Sequence, residues 1–168
     1  MFRRFRRTGV LGACALAAAA FAGAAAAPVS AHDSGNTLDF TLYAKEIPGP
    51  GSNASGPPPK VGQVTTFADD LYKTKGGAKV GRDGVICGVV RVSGDQADVS
   101  CVGTFVLNGG PGGQLTAQTL ITYDTTNQSP SGFDIAITGG TGDFKSAHGY
   151  IRSTSDGDYQ KMDFHITT

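Results

Sequence analysis

Residues 99–121 read VSCVGTFVLNGGPGGQLTAQTLI, two alternating runs joined by a glycine-rich break. In the first run Val99, Cys101, Phe105 and Leu107 alternate with Ser100, Val102, Thr104 and Val106. In the second, Leu115, Ala117, Thr119 and Ile121 alternate with Thr116, Gln118 and Leu120. A period of two sends successive side chains to opposite faces of a strand. The break from Asn108 to Gly113 holds Pro111 and four glycines, which is turn chemistry. Two such runs with so short a connection predict an antiparallel pair.

The same pattern extends both ways. Leu38, Phe40, Leu42 and Ala44 alternate with Thr37, Asp39, Thr41 and Tyr43, Phe133, Ile135 and Ile137 with Asp134, Ala136 and Thr138, and Met162, Phe164 and Ile166 with Lys161, Asp163, His165 and Thr167. With segments near 61–73, 80–92 and 146–154, eight strands are predicted and no helix. Turn signals separate them at Gly76-Gly77, Ser93 to Asp95, Thr125 to Gly132, Gly139 to Gly142 and Asp156-Gly157. Eight antiparallel strands with one apolar face each can stack as a sandwich or close into a barrel, and alternation does not choose. No strand advertises a large exposed apolar face.

The chain has 168 residues, room for one domain. Arg3, Arg4, Arg6 and Arg7 precede an apolar, alanine-rich run from Val10 to Ala27, and Val29-Ser30-Ala31 offers small residues for cleavage. Residues 1–31 therefore read as a cleaved export signal, and 32–168 as the domain, secreted and free of the membrane after cleavage. Residues 48–60, PGPGSNASGPPPK, read as a flexible loop. Without the four arginines, ten basic side chains face fourteen acidic ones, which argues against a nucleic-acid partner. The histidines His32, His148 and His165 show no ligand spacing, so no metal is expected, and no cofactor motif occurs. Loss of the signal removes Cys14 and leaves Cys87 and Cys101, equidistant from Gly94 in the Ser93-Gly94-Asp95 turn. A hairpin centred there places the two opposite each other and predicts a disulfide in an oxidising compartment.

Two further segments carry a family resemblance. Residues 61–72 read VGQVTTFADDLY and residues 137–150 read ITGGTGDFKSAHGY. The first is similar to the cyclase pattern Gly-Asp-Leu-Val-Pro-Phe-Thr-Asn-Lys-Leu-Tyr and to the dirigent segment ending in Asp-Asp. The second resembles the Gly-Gly-Thr-Gly-x-Phe-x-x-Ala-x-Gly signature of both branches of the allene oxide cyclase and dirigent superfamily. The resemblance spans roughly residues 37 to 167. It implies a single all-β domain, an eight-stranded antiparallel β-barrel with an apolar cavity, and it allows homo-oligomers.

It also implies site residues. The cyclase branch places a Glu after a first-strand Tyr, beside a Pro on the second strand; here Tyr43 is followed by Ala44 and the Pro position is Thr66. The dirigent branch uses two cavity aspartates and an Arg, matched here by Asp69 or Asp70, by Asp143, and by His148 in the Arg position. Asp69 and Asp70 are adjacent on a strand, so at most one faces the lumen. Asp143 has a competing role, ordering its own loop through backbone N–H groups. Tyr43 and Tyr123 are candidates to stack on an aromatic ligand, or to seal the barrel ends. The expected function is binding of a small hydrophobic or phenolic molecule and steering of its cyclization or coupling. The alternatives are a noncatalytic carrier, or an extracellular interaction domain with a filled lumen.

Overall fold

The computed structural model describes residues 35–49, 58–126 and 132–168. The expected signal at 1–31 and residues 50–57 of the proline-rich loop lie outside the described residues. The strands are β1 (Thr37–Glu46), β2 (Val64–Tyr72), β3 (Lys79–Ser93), β4 (Gln96–Leu107), β5 (Gly113–Asp124), β6 (Phe133–Gly140), β7 (His148–Asp156) and β8 (Tyr159–Thr167). A single 3-10 turn, Gly142–Phe144, sits between β6 and β7. Neighbours in sequence are neighbours in space, all antiparallel, and β8 returns to β1 to close a barrel. The closing seam runs from Thr37 opposite Thr167 to Ala44 opposite Gln160. Of the two architectures the pattern permits, the chain adopts the barrel, in which every strand has a partner on each side.

Alternation places the apolar set inside. Leu42, Leu71, Phe105, Leu115, Ile151, Phe164 and Ile166 are buried in one core. Phe164 stacks on Phe40 at 4.7 Å and meets Phe105 edge-on at 5.7 Å. The glycine-rich signature builds the floor of this core. Phe144, fully buried, enters from the turn between β6 and β7 beside buried Ala147.

Outside, the structure departs from expectation. Val64, Ile86, Val102 and Leu120 stand exposed on the outer face of β2 to β5. The alternating runs contain apolar residues in both phases there, so one phase is left in solvent once the other is buried.

Cys87 and Cys101 are bridged and directly opposed. The route differs from the expected symmetric turn. Ser93 pairs with Gln96, which leaves a two-residue connection, Gly94 (φ 58°) and Asp95. That turn alone would set Cys87 against Val102. A bulge between Val89 and Arg91 absorbs one residue of β3 and restores the Cys87–Cys101 register.

Gly149, in the Ala-His-Gly end of the signature, has φ 131°, and a Cβ there would strike the backbone carbonyl of His165 on β8. Gly149→Ala is expected to lower stability by about 2 to 4 kcal/mol. A chemical denaturation midpoint unchanged from the parent would refute this reading of the motif.

Candidate functional site

Where the core stops, the barrel is hollow. A cavity of about 450 Å³ lies toward the β7–β8 turn, whose Gly157, Asp158 and Tyr159 contribute to its wall. Three aromatic rings, Phe67, Phe105 and Phe133, and three aliphatic side chains, Val85, Ile121 and Ile135, make most of the surface apolar. Cys101 places the disulfide in the same wall. A hollow of this size holds a small organic molecule, so the filled-lumen reading loses its premise.

Three carboxylates, Glu46, Asp69 and Asp158, break the apolar lining. Glu46 ends β1 in the inward phase of Leu42 and Ala44, and it pairs with Asp69 on β2. Asp69 pairs in turn with Asp83 on β3, and Asp83 with Phe105 on β4. Strand pairing thus lays Glu46, Asp69 and Asp83 side by side across three strands, with Asp69 and Asp83 buried and Glu46 exposed at the end of β1. Glu46 and Asp69 reach the cavity surface, while Asp83 lies behind them at 5% exposure. The Asp69 backbone N–H donates to Asp83 Oδ1 at 3.1 Å, and Asp83 Oδ2 is buried with no partner.

This packing changes the acids. Burial pushes the Asp69 carboxyl up to about 6; the nearby charges of Glu46 and Asp70 add to the rise, and a hydrogen bond with Asp83 opposes it. Burial pushes Asp83 up to about 8, helped by the negative charge of Asp69. At neutral pH the pair therefore retains one proton and carries one negative charge. A carboxyl that still holds a proton at pH 7 can serve as an acid, and its ionised neighbour as a base.

The residues expected from sequence are dispersed. Asp69 and Ala44 line the cavity. Asp70 points outward and pairs with Lys79 at 2.5 Å. Asp143 is exposed on the 3-10 turn; its Oδ2 accepts from the Gly112 N–H at 2.8 Å, and its own N–H donates to the Gly112 carbonyl. That is the loop-ordering role, and it ties the β4–β5 turn to the β6–β7 connection away from the cavity. His148 is exposed, with Nδ1 3.2 Å from the Ser146 carbonyl oxygen. Thr66 is exposed in the outward phase beside Ile86. Tyr43 packs edge-on against Tyr159 at 6.4 Å, outside the lumen, and Tyr123 is half-buried and does not reach the cavity wall.

Glu46 and Asp83 were missed by the sequence reading, though a signal existed. Glu46 continues the Leu42, Ala44 phase by one more step, and Asp83 shares the phase of Cys87.

The raised acids fix a pH dependence. Both titrate near 4 when unfolded and higher when folded, so the native state binds more protons between these limits. Their contribution to stability is unchanged below pH 4 and falls as pH rises toward about 8. Asp98, held down by Thr122 and Arg91, and Asp163, held down by Lys161 and Thr41, act oppositely and lose their stabilisation in acid. Melting temperature is expected to fall from pH 5 to pH 8, and Asp83→Asn to flatten that decline. A parent profile that rises over this range would contradict the buried pair.

Similarity to known proteins agrees with this architecture. The family described as allene oxide cyclase barrel like domain matches residues 48–163. No curated protein matches the chain. Among solved structures, one named pyocyanin demethylase is 25% identical, with a TM-score of 0.61 over 76% of this chain and 99% of that one. A pterocarpan synthase dirigent protein is 19% identical, with a TM-score of 0.60 over 89% of this chain and 97% of that one. A second protein of that description is 18% identical, with a TM-score of 0.55 over 80% of this chain and 94% of its own. With the closed eight-stranded barrel and the match over most of its length, the chain is a member of the allene oxide cyclase barrel like family.

Proposed function

We propose that this protein is exported and binds a small hydrophobic or phenolic molecule in the barrel lumen, steering its cyclization or coupling. The observation that carries the reading is Asp69, a carboxyl on the wall of an apolar cavity, backed by the proton-bearing Asp83. A phenol bound there donates its O–H to the Asp69 carboxylate, and the aromatic wall fixes the ring plane. Orientation in a confined space then selects one of several reaction faces, with proton transfer as the only chemistry asked of the protein. The similar structure named pyocyanin demethylase is also named for an action on a small molecule. Export is supported by the character of residues 1–31 and by the disulfide.

The carrier reading has one observation in its favour. Ala44 and Thr66 stand where the cyclase branch places Glu and Pro, so that branch's chemistry is not carried over.

The test uses 2-naphthol, a neutral phenol whose one-electron oxidation gives an axially chiral dimer. With oxidant supplied, the parent protein is expected to yield an enantiomeric excess by chiral chromatography. Asp69→Asn is expected to return a product at least about tenfold closer to racemic, the scale of one lost proton-transfer or charged hydrogen-bond partner. A racemic product with 2-naphthol still bound assigns the carrier reading; absence of binding by titration calorimetry removes both.

A further inference from the structure

We propose that the ligand of this lumen carries a protonated amine, seated against Asp69 and Glu46 with its apolar body among Phe67, Phe105 and Phe133. This rests on the lumen-binding reading above and narrows its ligand class. The argument begins with charge. The charged residues on the cavity wall are Glu46, Asp69 and Asp158, and no Lys, Arg or His is among the described lining residues. An anionic guest would bring a second negative charge into an apolar hollow with nothing to offset it. A neutral guest gives the Asp69 carboxylate at most a hydrogen bond and leaves its charge uncompensated. A cation answers the charge, and aromatic faces favour it further.

A second observation separates this row of acids from a merely structural cluster. Asp69 is 6% exposed and lies on the cavity wall, and among the described residues its carboxyl meets no cation, only the Asp83 carboxyl behind it. A structural carboxyl at that depth is ordinarily satisfied. Here Asp70, one residue away, has its counter-ion in Lys79 outside the barrel, whereas the inward acids have none. The side chains suit an organic cation better than a metal ion. Among the described residues no three His, Cys, Asp or Glu side chains converge to hold a metal ion.

Binding of such a cation is linked to protons. The amine arrives protonated and stays so; its charge favours the doubly ionised Asp69–Asp83 pair, and the proton held by Asp83 leaves to solvent. The groups that bear on the pair are few. They are Glu46 from β1, Asp70 with its Lys79 partner behind β2, and Asp158 and Tyr159 from the β7–β8 turn. β4 and β5 present Phe105, Ala117 and Thr119, which do not titrate, and Cys101 is locked in the disulfide. Lys45 sits at the rim over the Tyr159 ring, 5.3 Å from its centroid, and does not line the cavity.

The experiment is titration calorimetry on the full chain with three probes of one shape: 1-naphthylmethylamine, 1-naphthylmethanol and 1-naphthoate. At pH 7 the amine is expected to bind about tenfold to a hundredfold more tightly than the alcohol, the range of a charged hydrogen bond, with the carboxylate weakest. Heats measured in buffers of different ionisation enthalpy are expected to show net proton release with the amine and none with the alcohol. Amine affinity is expected to rise from pH 5 to pH 8. Asp69→Asn is expected to leave amine and alcohol binding alike; should that variant misfold by circular dichroism, Glu46→Gln is expected to cut amine affinity by about threefold or more. Alcohol bound as tightly as amine, or amine bound without proton release, overturns the cationic class while leaving a ligand-binding lumen. Failure of all three probes to bind overturns the lumen reading itself.

Discussion

The β1–β8 seam is the constraint on which the rest depends. Eight residue pairs, from Thr37–Thr167 to Ala44–Gln160, join the first strand to the last. Were this seam open, β1 and β8 would be free edges and the inward side chains would face no opposite wall. Closure turns one face of a single sheet into an interior, so that Phe40 of β1 can stack on Phe164 of β8 and Phe105 of β4 can meet the same ring. It also sets the register around the circle. Glu46, Asp69 and Asp83 become neighbours because β1, β2 and β3 are paired in that order with those residues opposed.

The eight strands were legible because each carries period-2 alternation and glycine-rich breaks, both local signals. The choice of barrel over sandwich was not, since it depends on whether β8 returns to β1. The cysteine pair shows a right answer reached through the wrong turn. Symmetry about Gly94 named the partners, but a two-residue turn and the bulge after Val89 jointly produce that symmetry. No residue type marks a bulge there, because the sequence Val89-Val90-Arg91-Val92 alternates no differently from a regular strand.

The site was harder to read for a related reason. Asp69 and Asp70 are chemically identical, and their phase is fixed by pairing, which sends Asp69 inward beside Asp83 and Asp70 outward to Lys79. Resemblance pointed to Asp143 and His148 because the signature that contains them is the most distinctive stretch of the chain. In this barrel that stretch turns the chain, buries Phe144 as the floor, and sets the Asp143 carboxylate on the Gly112 N–H. Glu46 and Asp83 belong to no motif. Their significance exists only after β1, β2 and β3 are laid together, and the outer apolar residues Val64, Ile86, Val102 and Leu120 gain theirs from the same pairing.

The two ends of the barrel therefore carry different physical demands. The floor gains stability from full burial: Phe144, Phe164, Leu71, Leu115, Ile151 and Ile166 leave almost no surface exposed. The hollow end loses it, because Asp69 and Asp83 sit where ionisation is disfavoured and one Asp83 oxygen lacks a partner. An apolar pair such as Leu and Val at these positions would remove that cost, and the neighbouring residues Val85 and Phe105 show that the strands accommodate such side chains. The closed, well-packed floor holds the strands in register, and that register keeps Asp69 on the wall of the hollow with Asp83 behind it.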